Sequence, residues 1–173
     1  MKTDARSEAR RLLLETPAGE LARRRIGIQE QAERAGFSAA EIQRILNERP
    51  DLPRELLPEE REALLLSFQL LAPSTRQLLR AQVATARVSA YDCPCPCASV
   101  ALVVDRDLVT PVFDVENPLW DVHVDGPGEV SGGVMVWFDH GYLSGIEVFD
   151  HYGGPITAIP PREWLSLGWP QRA

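Results

Sequence analysis

Near residue 88 the spacing of apolar residues changes from a helical period to a strand period, and neither an all-α nor an all-β fold accommodates both halves. Upstream, apolar positions recur at intervals of three and four: Ala9, Leu12 and Leu13; Ile42, Ile45 and Leu46; Leu64, Leu65, Phe68 and Leu71; Leu78, Leu79 and Val83. Downstream, short runs rich in valine and aromatic residues are broken by glycine and proline, as strands and tight turns require. A chain of 173 residues can bury one ordinary core with a helical appendage. The pattern predicts an α+β fold, with a helical region over residues 1–50, a proline-rich linker over 51–58 and an α+β domain over 59–173. Within that domain a helical hairpin is expected over 59–87, an antiparallel sheet over 88–160 and a C-terminal turn over 161–173.

Local chemistry refines these boundaries. Helices are expected from Ala5 to Glu15, from Pro17 to about Arg25 with Thr16 as cap, and from Ile28 to Ala35. Gly36 can adopt the left-handed conformation that ends the third, and Ser38 with Glu41 forms a capping box for the next, Phe37 stapling against Ile42. Ser74, with Gln77 three residues on, is expected to open the later helix of the hairpin. Strands are expected at 99–104, 109–115, 119–124, 130–138 and 142–149, the last two joined by a three-residue loop at Asp139-His140-Gly141. Gly132-Gly133 suggests a bulge or a close backbone approach, and residues 160–165 a helical turn that sets Trp164 against the sheet.

The net charge of −7 is unevenly spread. Residues 1–50 hold ten Lys and Arg against eight Asp and Glu, giving +2, and the remainder holds eight against seventeen, giving −9. Only the first part is suited to a phosphate backbone, whereas the second favours a basic protein partner. No apolar run approaches the roughly 20 residues of a membrane span. The N-terminus lacks the apolar segment of a secretory signal, and the three cysteines crowd one pentapeptide, so a reducing, cytoplasmic setting is expected.

The corner at Ile28 to Asn47 resembles the helix-turn-helix of lactose-repressor-type transcription regulators, in Ala32, the Ala35-Gly36 pair, the following Phe37 and Ser38, Ile42, and the run Arg44-Ile45-Leu46-Asn47. The resemblance spans about twenty residues and omits that family's sugar-binding domain. It implies DNA as partner, with Gln43 and Arg44 reading bases and Arg23, Arg24, Arg25, Arg34 and Arg49 contacting phosphates. A plain helical corner with solvated arginines gives the same pattern.

From Leu64 onward the chain resembles a group of short, uncharacterised actinobacterial proteins with a Leu-Arg-x-Gln stretch, a C-x-C-G-C motif and a terminal hairpin. The corresponding pieces are Leu79-Arg80-Ala81-Gln82, Cys93-Pro94-Cys95-Pro96-Cys97 and Gly141 to Val148, with Pro96 in place of the group's glycine. That likeness implies an α+β fold and no activity. By their chemistry, Cys93, Cys95 and Cys97 could ligate zinc or another soft metal with His123, His140 or His151 as fourth ligand, although Pro94 and Pro96 are expected to hold the cysteines extended and their sulfurs apart. Asp121, His123 and Asp125 alternate on one strand face, as a divalent-ion site, an acid–base site or a merely solvated face would. No G-x-S-x-G elbow, phosphate loop or H-E-x-x-H occurs, which points away from an enzyme. The expectation is a small DNA-binding regulator with an acidic sensing or protein-binding domain; the alternatives are an immunity-protein or antitoxin-like binding module and a zinc-binding protein.

Overall fold

The computed structural model describes residues 4–128 and 130–168. Five helices, α1 (Ala5–Glu15), α2 (Ala18–Arg34), α3 (Ala39–Asn47), α4 (Pro58–Ser67) and α5 (Pro73–Thr85), accompany seven strands, β1 (Arg54–Glu55), β2 (Arg87–Tyr91), β3 (Val100–Val103), β4 (Leu119–Asp125), β5 (Ser131–Asp139), β6 (Tyr142–Asp150) and β7 (Leu165–Leu167). All strand pairs are antiparallel, in the spatial order β1-β2-β3-β6-β5-β4-β7. The fold is α+β, and both edges of its sheet are very short strands.

Gly36 forms the α2–α3 corner at φ 86°, and its N–H and that of Phe37 donate to the carbonyls of Glu33 and Ala32, the paired bonds of a Schellman turn. Ser38 and Glu41 then close the expected capping box around the start of α3. The two helices expected over residues 17–35 are instead one. Gly27 is tolerated within it at a cost of about 1 kcal/mol, and the inward stripe of Leu21, Ile28 and Ala32 runs unbroken past it. Pro73, not Ser74, opens α5, because its fixed φ suits the first helical position and its missing N–H has no helical acceptor there.

The proline-rich stretch expected as a linker is built into the sheet: β1 pairs with β2, Leu56 is buried, and Arg54 makes a buried two-bond ion pair with Glu60 at 2.8 and 2.6 Å. Helical and sheet residues therefore share a single buried apolar cluster, from Ala9 and Leu13 through Phe68 and Leu79 to Val136 and Ile146.

Of the expected strands, 109–115 is not one. Pro111 cannot donate to a ladder, and the segment is pinned crosswise, with Val112 donating to Gly141 and the Thr110 carbonyl accepting from Gln82. Phe113 is left 73% exposed. Gln82 is fully buried and uses both ends of its amide; it also donates to the Gly141 carbonyl and accepts from Leu143 N–H, fastening α5 to the β5–β6 hairpin. That hairpin turns in two residues, not three, because Asp139 pairs with Tyr142 while His140 and Gly141 both adopt positive φ, a type I′ turn. The Gly132-Gly133 pair marks a close approach: a methyl group on Gly132 would collide with the Phe149 carbonyl, and one on Gly133 would lie 2.7 Å from the Phe149 ring. The 3-10 turn Arg162–Trp164 sets the Trp164 ring against Gly126, as the tail suggested.

Candidate functional site

The cysteine pentapeptide joins β2 to β3 and leaves the extended path at residues 94–98, where the chain bends. In an extended chain, residues two apart point to the same side, so Cys93, Cys95 and Cys97 begin on one side and the bend draws them together. The Cα atoms of Cys93 and Cys95 lie 5.3 Å apart, less than the roughly 6.6 Å of two extended steps. All three sulfurs fall within 4.8 Å of one another, contrary to the expectation from the prolines. Proline restricts the residue before it to extended backbone, but that restriction sets which side each sulfur faces and leaves the bend free. Cys93 and Cys95 are joined as a disulfide, and Cys97 is a buried free thiol.

The bend is held from outside. Arg25 on α2 donates to the carbonyls of Cys97 and, at 3.1 Å, of Cys95, and one turn further Gln29 donates to the Pro94 carbonyl at 3.2 Å. Arg25 is only 2% exposed and stacks over the Tyr91 ring, its guanidinium carbon 4.8 Å from the ring centre. Burial pushes its pKa down from the ordinary arginine value, and the nearby Cys97 and Tyr91 side chains partly offset that. On the far side Ala98 N–H donates to Ile156, and the Ser99 hydroxyl accepts from Val148 N–H within the sheet. The cysteines line a cleft of about 540 Å³ together with Asp92 and, from β6, Glu147 and Asp150. The three sulfurs are the group that could hold a metal ion among the described residues, and the carboxylates of Asp92, Glu147 and Asp150 line the same cleft.

No histidine joins the cysteines among the described residues. His140 sits on the β5–β6 turn, 83% exposed beside Asp139. His123 lies on β4 and is buried, and His151 packs edge-on against Phe149 at 5.4 Å. Asp121 and Asp125 do act electrostatically on His123, as their alternation implied, but among the described residues the trio forms no metal-holding group.

The residues expected to meet DNA divide into two sets. Arg25 and Arg49 are internal. Arg49 donates to the Leu13 and Thr16 carbonyls, both at 2.7 Å, and pairs with Asp51, so it closes the C-terminal end of α1. Gln43 donates to the Tyr91 carbonyl at 3.3 Å, and Asn47 bonds both to that carbonyl and to Tyr91 N–H. Thus α3 lies against β2 on one side, while on the other Arg6 and Arg10 of α1 reach Glu41 and Glu48. Arg23 and Arg34 are exposed, Arg24 pairs with Glu20, and Arg44 is 67% exposed with Glu48 at 4.0 Å.

Sequence reasoning missed the clamp. Its signal was present: Leu21, Arg25, Ile28, Gln29 and Ala32 follow a helical spacing, and two long polar side chains on an otherwise apolar stripe must bond to something inside. No family description, curated protein or solved structure matches this chain.

Proposed function

We propose that this protein binds a single soft metal ion, zinc or copper(I), through Cys93, Cys95 and Cys97. The observation that carries the reading is the gathering of three sulfurs within 4.8 Å on a loop whose carbonyls are gripped by buried side chains. With metal–sulfur bonds of about 2.3 Å, tetrahedral coordination places sulfurs about 3.8 Å apart, so the bonded Cys93 and Cys95 sulfurs part to that spacing, with the Cys97 sulfur already within 4.8 Å of both. A dithiol reductant, itself oxidised to a disulfide, supplies the two electrons and two protons that open the Cys93–Cys95 bond; the two thiols formed join that of Cys97, and metal binding then releases the thiol protons. The fourth position falls to a carboxylate of the cleft or to an external ligand.

A DNA-binding regulator is less well supported. Of the seven residues on which that reading leaned, Arg25 and Arg49 are spent on carbonyls and Gln43 on β2, while Arg23, Arg24, Arg34 and Arg44 stay exposed. The test is a competition titration of zinc, and separately of copper(I), into the reduced chain against a chromophoric chelator. One ion per chain is expected, with affinity falling by on the order of a hundredfold or more in Cys95→Ser, since structural thiolate sites bind tightly. Equal uptake by Cys95→Ser, or none by the reduced parent, would remove the proposal.

A further inference from the structure

A second cavity, of about 350 Å³, opens between the first turns of α2 and α4 and the segment at 157–161. That volume is at the small end of the roughly 300–1,000 Å³ common to ligand pockets. Its walls are mainly apolar, with Leu21, Leu57, Val100 and Ile159 among them. Three features make it unlike a packing defect. First, α2 starts here with Pro17 as its cap residue, and no side chain caps it, so the first N–H groups of a 17-residue helix, those of Ala18 and Gly19 among them, have no side-chain acceptor. Second, Arg25 lines the same cavity; its Nε has no hydrogen-bond partner, and among the described residues its cation has no carboxylate partner, only carbonyls and the Tyr91 ring. Third, the ionisable lining is Arg23, Arg25 and Arg54 against Glu59 and Glu60, three positive against two negative, leaving +1 in a chain of net −7. Glu60 is already matched to Arg54, so it does not serve Arg25.

A buried cation without a counter-ion beside an uncapped helix start calls for one negative charge, and the apolar walls call for a hydrocarbon body. We infer that this cavity binds a small organic carboxylate, its anionic head toward the α2 start and Arg25 and its apolar body against Leu21, Leu57 and Ile159. The site is distinct from the cysteine cleft; Arg25 touches both, holding the loop by its guanidinium while lining this cavity.

Calorimetry on the full chain with octanoate and with octan-1-ol tests the inference. One octanoate per chain is expected, with the alcohol weaker by about tenfold or more, because a neutral head forgoes the charge-assisted bonds. Ala22→Leu, from the α2 wall, fills the space with a good helix former and is expected to weaken octanoate by about tenfold or more, with an unchanged melting curve. Ala158→Leu fills it from the facing segment with the same expected result. Both variants should take up zinc on the reduced cysteines as the parent does, so failure at one site is distinguishable from failure at the other. Equal affinity for acid and alcohol, an octanoate affinity untouched by both variants, or no octanoate heat at millimolar concentration would overturn the inference.

Discussion

The Gly36 corner and the cysteine loop reverse each other. At the corner the Schellman turn and the capping box are both realised, yet several of the side chains that gave it a functional look face inward: Arg49 closes α1, Gln43 and Asn47 tie α3 to β2, and Arg25 crosses to another loop, while Arg44 stays exposed. In the cysteine loop the local signal, two prolines, argued for separation, yet the sulfurs meet, two of them bonded to each other, on a bend that α2 holds from about seventy residues away in sequence. Local rules thus govern the path of the backbone, while long-range contacts decide which side chains remain free to act. Arg25 is where the two regions depend on each other.

The sharpest way to break the comparison is Arg25→Met. Two buried carbonyls lose their donor, so unfolding in urea should show a loss of about 2–4 kcal/mol, and zinc affinity of the reduced loop should fall roughly 10- to 100-fold, as when an outer support of a metal site is removed. Parent-like zinc affinity in this variant would mean that the loop bends by itself. A smaller effect is expected from Asn47→Ala, which strips the donor and acceptor that meet Tyr91, costing about 1–3 kcal/mol in the same assay. Arg44→Ala, three residues away and exposed, should stay within about 0.5 kcal/mol. If the two cost the same, α3 is not fastened to β2 as described.

The smallest effect concerns pH. Burial holds the His123 imidazole below its ordinary pKa of 6.5; His151 acts in the same direction, and Asp125 and Asp121 oppose it. Below pH 6.5 the unfolded chain therefore binds more protons at this position than the folded one, so the contribution is fully favourable above 6.5 and is lost as pH falls toward the depressed value. Denaturant unfolding between about pH 7 and pH 5 should lose less stability in His123→Gln than in the parent. An identical slope would place the acid sensitivity elsewhere.

Much of the architecture was legible in the sequence, because apolar spacing and turn chemistry are local. The helices α1 and α3, the strands β3 to β6 and the role of Gly141 all follow from residues within one turn or one hairpin. The pairing partners were not legible: β1 and β7 are two and three residues long and exist only because β2 and β4 offer them edges. The three cysteines were visible as candidate ligands from their spacing, but their convergence depends on Arg25 and Gln29, which no local rule connects to them. The carboxylate cavity left no periodic trace at all, since its lining comes from segments far apart in the chain.

The brevity of β1 and β7 matters for how this molecule behaves in a crowd. A long bare margin would present a row of peptide groups on which a foreign segment could template itself, the first step toward fibrils. With two residues at one border and three at the other, that row is too short to recruit a stranger, and the sheet is shielded from self-propagating growth.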